Sequence, residues 1–279
     1  MTLYNLPASF MVPLTASVIP TVSAARAVRN YRQGALISET TLRTTALLAM
    51  PAGIGLFVLG EPIIRLLYPS TGDVALTGWM LSVLGIASIA VCFMLVSNSI
   101  MQAHKLVTLP MVTTLIGCFL KLIASYVLIG NPEIGIKGGA ISTVVCFSII
   151  AVLDLVIIKL TLPRSLSYFR VFAKPAAASA VMGLAAWAVY GLSSRALVAL
   201  DLFHKLEEDG TYISGPFVNL AEDGTAALSG LGNAFAVMAA IGVAVVIYLA
   251  LILLTRAISK EDLSLMPKGD KIARLLHIQ

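Results

Sequence analysis

The chain has 279 residues, of which 58% are apolar and only 12% charged, with a formal net charge of +5. A mean hydropathy of +0.94 excludes an ordinary soluble domain, where about 25% of residues carry charge. Seven apolar runs hold this composition: Leu3–Ala25, Thr44–Leu59, Gly78–Ala103, Val107–Gly130, Gly135–Leu160, Ala173–Val198 and Gly232–Ala257. Most are near the roughly 20 residues that cross a bilayer core, so the expected fold is an all-α membrane protein of about seven transmembrane helices.

Lys and Arg alternate between the loops. Arg26, Arg29, Arg32 and Arg43 follow the first run, Lys105 the third, and Lys159, Arg164, Arg170 and Lys174 the fifth; Arg256, Lys260, Lys268, Lys271 and Arg274 fill the tail. The opposite side has only Arg65, Lys137, Arg195 and Lys205. Cytoplasmic loops hold the basic excess, so the expected topology is a multi-pass cell-membrane protein with an extracytoplasmic N-terminus and a cytoplasmic C-terminus. The basic pI then reflects a face suited to anionic membrane lipids, and no nucleic acid is needed to explain it. The first run lacks a basic n-region and continues past any small-residue cleavage site. It reads as a true span or the middle of a longer protein.

The first run carries Pro7, Pro13 and Pro20 among Ser and Thr. Proline inside a helix removes a hydrogen bond to the carbonyl four residues earlier, which frees the carbonyls of Ser9 and Ala16. Pro13 and Pro20 lie seven residues apart, on nearly one face, as expected for a bending, cavity-lining helix. Packing of a static kink against neighbours is the alternative. After the second run, Glu61 and Arg65 stand at i, i+4, and Pro62 suits the first turn of a new helix; the pair is a local structural contact or a candidate gate at the outer mouth.

Lys121 is the basic residue deepest within a span, at a cost of about 2.5–3.5 kcal/mol on insertion scales, and such residues face a bundle interior or wet cavity. It is the leading candidate for substrate contact. Asp154 shares the membrane interior but lies roughly 12 Å away in depth at 1.5 Å rise per residue. A direct Lys121–Asp154 pair is therefore less favoured than Asp154 meeting Lys159 or cytoplasmic water. Cys92, Cys118 and Cys146 occupy three different runs without CxxC spacing and read as packing residues.

An acidic outer loop spans about 191–231 and repeats Glu-Asp-Gly-Thr at Glu208–Thr211 and Glu222–Thr225, fitting a hairpin or successive tight turns and offering too few oxygen ligands for calcium. Residues 258–279 form a basic tail. In it Ser259-Lys260-Glu261-Asp262 starts a helix, and Ile272, Leu275, Leu276 and Ile278 with Lys268, Lys271 and Arg274 make an amphipathic stretch on the inner membrane surface. The expected organisation is 1–160 as five helices, 161–257 as two additional helices with the acidic loop, and the tail.

Several stretches together resemble one family: Pro13–Pro20, Pro51–Leu56 with Glu61–Leu67, Ser99–Ala103, Lys121 followed by Gly135–Ala140, and Lys260–Gly269. In their order and spacing the chain is similar to the C-terminal part of polysaccharide-biosynthesis or stage V sporulation protein B-type transporters, in the superfamily of lipid II flippases and multidrug exporters. The resemblance implies a two-lobed transporter of about fourteen spans, of which this chain supplies the last seven. It also implies alternating-access export of a lipid-linked sugar or cell-wall (peptidoglycan) precursor, whose anionic head enters a cationic cavity between the lobes. Lys121 matches the family's basic position in its helix, and the proline-bearing run matches a C-lobe helix. The family's N-terminal lobe of about seven helices is missing, so the expectation is a fragment or a half needing a partner, since such sites lie between structural repeats.

Three rivals are weighed. A cation-coupled multidrug exporter of the same superfamily requires a deep acidic residue, for which Asp154 is the candidate. A seven-helix receptor shares the topology, but a retinal protein needs a lysine in the last span and Gly232–Leu254 has none. An enzyme is disfavoured because His104, His204 and His277 have no metal-ligand or triad spacing. No catalytic residue, metal or cofactor is expected.

Overall fold

In the computed structural model, residues 3–68, 73–161, 168–205, 217–220 and 226–254 are described. After a 3-10 turn at Leu3–Asn5 the elements are α1 (Leu6–Ala27), α2 (Tyr31–Leu67), α3 (Val74–Ala103), α4 (Thr108–Ile129), α5 (Lys137–Thr161) and α6 (Tyr168–Lys205). Strands β1 (Val218–Leu220) and β2 (Ala226–Leu228) and helix α7 (Gly230–Leu254) complete them. Among the described residues, seven helices are long and apolar enough to span a membrane. The all-α membrane fold is therefore what forms, with a two-stranded ribbon added: β1 and β2 pair antiparallel, Val218 opposite Leu228. The acidic repeats and the basic tail lie outside the described residues.

Three boundaries differ from the sequence reading. α2 starts at Tyr31 rather than near Thr44 because Asn30 caps it, its side chain accepting from Gln33 N at 3.1 Å; Arg32 and Arg43 are thus helical. At the other end α2 runs unbroken through Pro62 to Leu67, so Pro62 opens no new helix. It is buried there, among neighbouring helices of the kind that make a proline inside a span tolerable. α6 continues to Lys205, which makes the first part of the expected 191–231 loop helical.

The centre of the bundle is the α2–α3 pair, its most extensive helix contact. In lipid no hydrophobic gradient pulls helices together, so close packing through small residues has to do it. Gly53 and Gly60 on α2 meet Gly85 and Gly78 on α3, one heptad apart on each helix and running in opposite directions. A Cβ on Gly85 would lie 2.8 Å from both Gly53 O and Phe57 N, and one on Gly78 would lie 2.6 Å from the Glu61 Cα. There is no room for either. α1, α5 and α4 build outward from the α3 side, with α4 resting mainly on α5, while α6 and α7 pack on α2 and on each other.

Gly85→Val is expected to lower stability in detergent by about 1–3 kcal/mol or more, because the obstructing atoms are backbone. Gly55→Ala on α2, where a Cβ meets nothing within 4 Å, stays within about 0.5 kcal/mol. Thermal melts of the two variants measure the difference; equal losses would contradict the seam.

Candidate functional site

Helix α4 buries Pro110, Thr113 and Gly117, a stripe at three- and four-residue spacing that continues to Lys121 and Ser125. This stripe faces α5: the position of a Cβ on Gly117 is occupied by the Ile150 side chain, and Ser125 Oγ lies 2.8 Å from Ser142 Oγ. Lys121 is therefore turned toward the bundle and away from the outer face of α4, where Phe119, Leu122 and Tyr126 are 69%, 68% and 85% exposed. Its ammonium sits 5.9 Å from the centroid of the Phe147 ring, a distance at which the ring quadrupole attracts a cation. The side chain is half-buried.

Asp154 lies on the same α5 surface but belongs to another level. The Gly117–Ile150 contact fixes an antiparallel register in which Lys121 stands near Cys146 and Phe147, and Asp154 near Thr113, about two turns away. The two are not brought together. Asp154 is fully buried, and neither carboxylate oxygen has a hydrogen-bond partner among the described residues. The Thr113 hydroxyl lies beside it and donates to Pro110 O at 3.1 Å. The expected meeting of Asp154 with Lys159 does not occur. Five residues along a helix place Lys159 about 140° around the axis, exposed while Asp154 points into the core.

On α1, Pro13 and Pro20 share one face and both are exposed, as are Ser9, Ala16 and Ser17. The helix stays continuous. Hydroxyls bond to backbone carbonyls along it, Ser9 to Asn5 at 3.1 Å, Thr15 to Val12 at 2.7 Å and Ser17 to Leu14 at 2.8 Å. None of these acceptors is the Ser9 or Ala16 carbonyl freed by proline. The opposite face, with Met11, Val18 and Val22, is buried in the core. A polar, proline-notched face at membrane depth is thus left without a partner among the described residues. α1 and α4 flank the α3–α5 surface, with no extensive contact between them among the described residues.

Glu61 and Arg65 pair within α2 at 2.8 Å, both nearly half exposed. Cys92 and Cys146 are buried, whereas Cys118 is exposed on α4 and is no packing residue. At the basic end, Arg26 donates to the His104 carbonyl and ties α1 to the end of α3. Burial first, and the Arg26 charge second, hold His104 below its ordinary pKa.

Sequence reasoning missed two polar anchors on α7. Pro51 removes the bond to the carbonyl four residues earlier, that of Leu47, and Tyr248 OH donates to this carbonyl at 2.7 Å. Asn233, fully buried, donates to Pro62 O at 3.0 Å and accepts from Tyr190 OH at 2.9 Å. The available signal was Pro51 inside an apolar run together with a lone Tyr and a lone Asn in α7.

Seven long apolar helices packed through small residues define a multi-pass α-helical membrane protein. The chain belongs to the lipid II flippase MurJ family, whose profile matches residues 1–206. It is also 24% identical over 166 residues to stage V sporulation protein B of Bacillus subtilis (strain 168), a match that covers 60% of this chain and 31% of that protein. The chain thus spans under a third of that relative's length.

Tyr248→Phe is expected to cost about 0.6–1.5 kcal/mol of stability, since the Leu47 carbonyl then has no donor. Denaturation of the two proteins in the same detergent checks this. Because the folded state favours neutral His104, stability is retained above the ordinary histidine range, near 6.5, and falls as pH drops through it toward the lowered value. His104→Gln is expected to flatten that part of the stability–pH curve; an unchanged slope would assign it to other groups.

Proposed function

We propose that this chain forms the C-terminal lobe of a flippase that moves a lipid-linked anionic sugar or cell-wall precursor such as lipid II across the membrane. The observation that carries the reading is Lys121, held at mid-span toward the bundle against Phe147. A cation at that depth is costly unless it meets an anion or water, and a diphosphate head supplies the charge. The proline-notched, hydroxyl-bearing face of α1 serves as a wall of the passage. The other wall comes from a second lobe of about seven helices, since transporter sites commonly lie between repeats.

In this reading α1, α3 and α5 end in the cytoplasm, where their basic residues meet anionic lipids, and the Glu61–Arg65 pair stands at the outer mouth as a gate. Membership of the flippase family supports transport rather than catalysis. A second reading, a cation-coupled multidrug exporter, is favoured by one observation: the buried, unpartnered Asp154 carboxyl, suited to carry a coupling proton or cation.

In the transporter reconstituted with both lobes, Lys121→Ala is expected to slow flipping of a diphosphate-linked lipid at least ten-fold, with Lys121→Arg retaining most of the rate. Flipping of a lipid with a neutral head is unaffected. Unchanged rates for the anionic substrate would remove Lys121 from the path. Loss of gradient-driven drug export in Asp154→Asn, with precursor flipping intact, would favour the exporter.

A further inference from the structure

A groove opens between α3, α5 and the first turns of α6, well apart from Lys121. Ile89 and Phe93 of α3, Ala151 and Leu155 of α5, and Phe172 of α6 line it, and its cavity volume is about 320 Å³. Phe172 makes the third wall through an edge-to-face contact with Phe93, ring centroids 5.0 Å apart. From Ser148 to Leu155 the groove runs about 10 Å along α5 at 1.5 Å per residue. A single hydrocarbon chain can lie along it.

One end of the groove is charged. Ser148, Val152 and Leu155 follow one stripe of α5, and the next position on that stripe, one turn beyond Leu155, is the exposed Lys159. Lysine lays its methylene stem along apolar surface and holds its ammonium at the headgroup level. We propose that this groove binds one acyl chain of an anionic phospholipid, with the Lys159 ammonium on the phosphodiester head. The Lys159 ammonium at the mouth suits an anionic headgroup. The site is independent of the transport path.

Native mass spectrometry of the full chain in detergent, titrated with phosphatidylglycerol, phosphatidylcholine or a polyprenyl phosphate, tests this directly. One phosphatidylglycerol is expected to be retained, bound roughly five-fold more tightly than phosphatidylcholine. Ser148→Phe, which fills the groove, abolishes retention of both. Lys159→Gln, at an exposed position that leaves the fold intact, removes the preference for phosphatidylglycerol alone, so the headgroup contact is testable even if Ser148→Phe fails to fold. Equal retention of the two phospholipids, a preference that survives Lys159→Gln, or displacement of phosphatidylglycerol by equimolar polyprenyl phosphate would each overturn the assignment.

Discussion

Everything in this bundle hangs on the glycine seam between α2 and α3. Lipid tails solvate Leu and Val as well as another helix does, so association rests on how closely two backbones approach. Gly53 against Gly85 and Gly60 against Gly78 bring the two backbones so close that no Cβ fits. On that pair the remaining helices divide into two groups, α1, α4 and α5 on the side of α3 and α6 and α7 on the side of α2. The second group is held by specific polar bonds: Tyr248 and Asn233 reach main-chain carbonyls beside the α2 prolines. Prolines that would weaken an isolated α2 thereby become docking points for α7.

The polar groups of the first group show a different logic. Here the bundle leaves polarity unspent: Lys121 beside a phenyl ring, Asp154 buried without a hydrogen-bond partner, and an α1 face of prolines and hydroxyls against nothing in the described structure. A region that existed only to be stable would satisfy or replace these groups. Lys121 and Asp154, both on the α4–α5 contact, and the open α1 face are the groups that support the flippase reading.

Much of this was legible in the sequence, because the signals were one-dimensional. Apolar runs gave all seven spans, and the depth difference between Lys121 and Asp154 followed from residue rise alone. Contacts between distant segments were not legible. Nothing local says that Asn30 caps α2 well before its apolar run, that Pro62 is carried inside a continuous helix, or that α6 continues past the apolar run ending at Val198. Asp154 was drawn toward Lys159 because the two are near in sequence; helical phase sets them on different faces. The two-glycine repeat on α2 and its mate on α3 were visible as letters, but their pairing required the antiparallel register.

The central claim is that the α1 face and Lys121 border an aqueous path, while the outer face of α4 borders lipid. In a Cys118→Ser background, where the remaining cysteines Cys92 and Cys146 are buried, single cysteines at Ser17, Lys121 and Leu122 can be probed in membranes with a membrane-impermeant maleimide. The account predicts labelling at Ser17 and Lys121, with protection at Leu122. Protection at all three positions, or labelling at Leu122 alone, would contradict it.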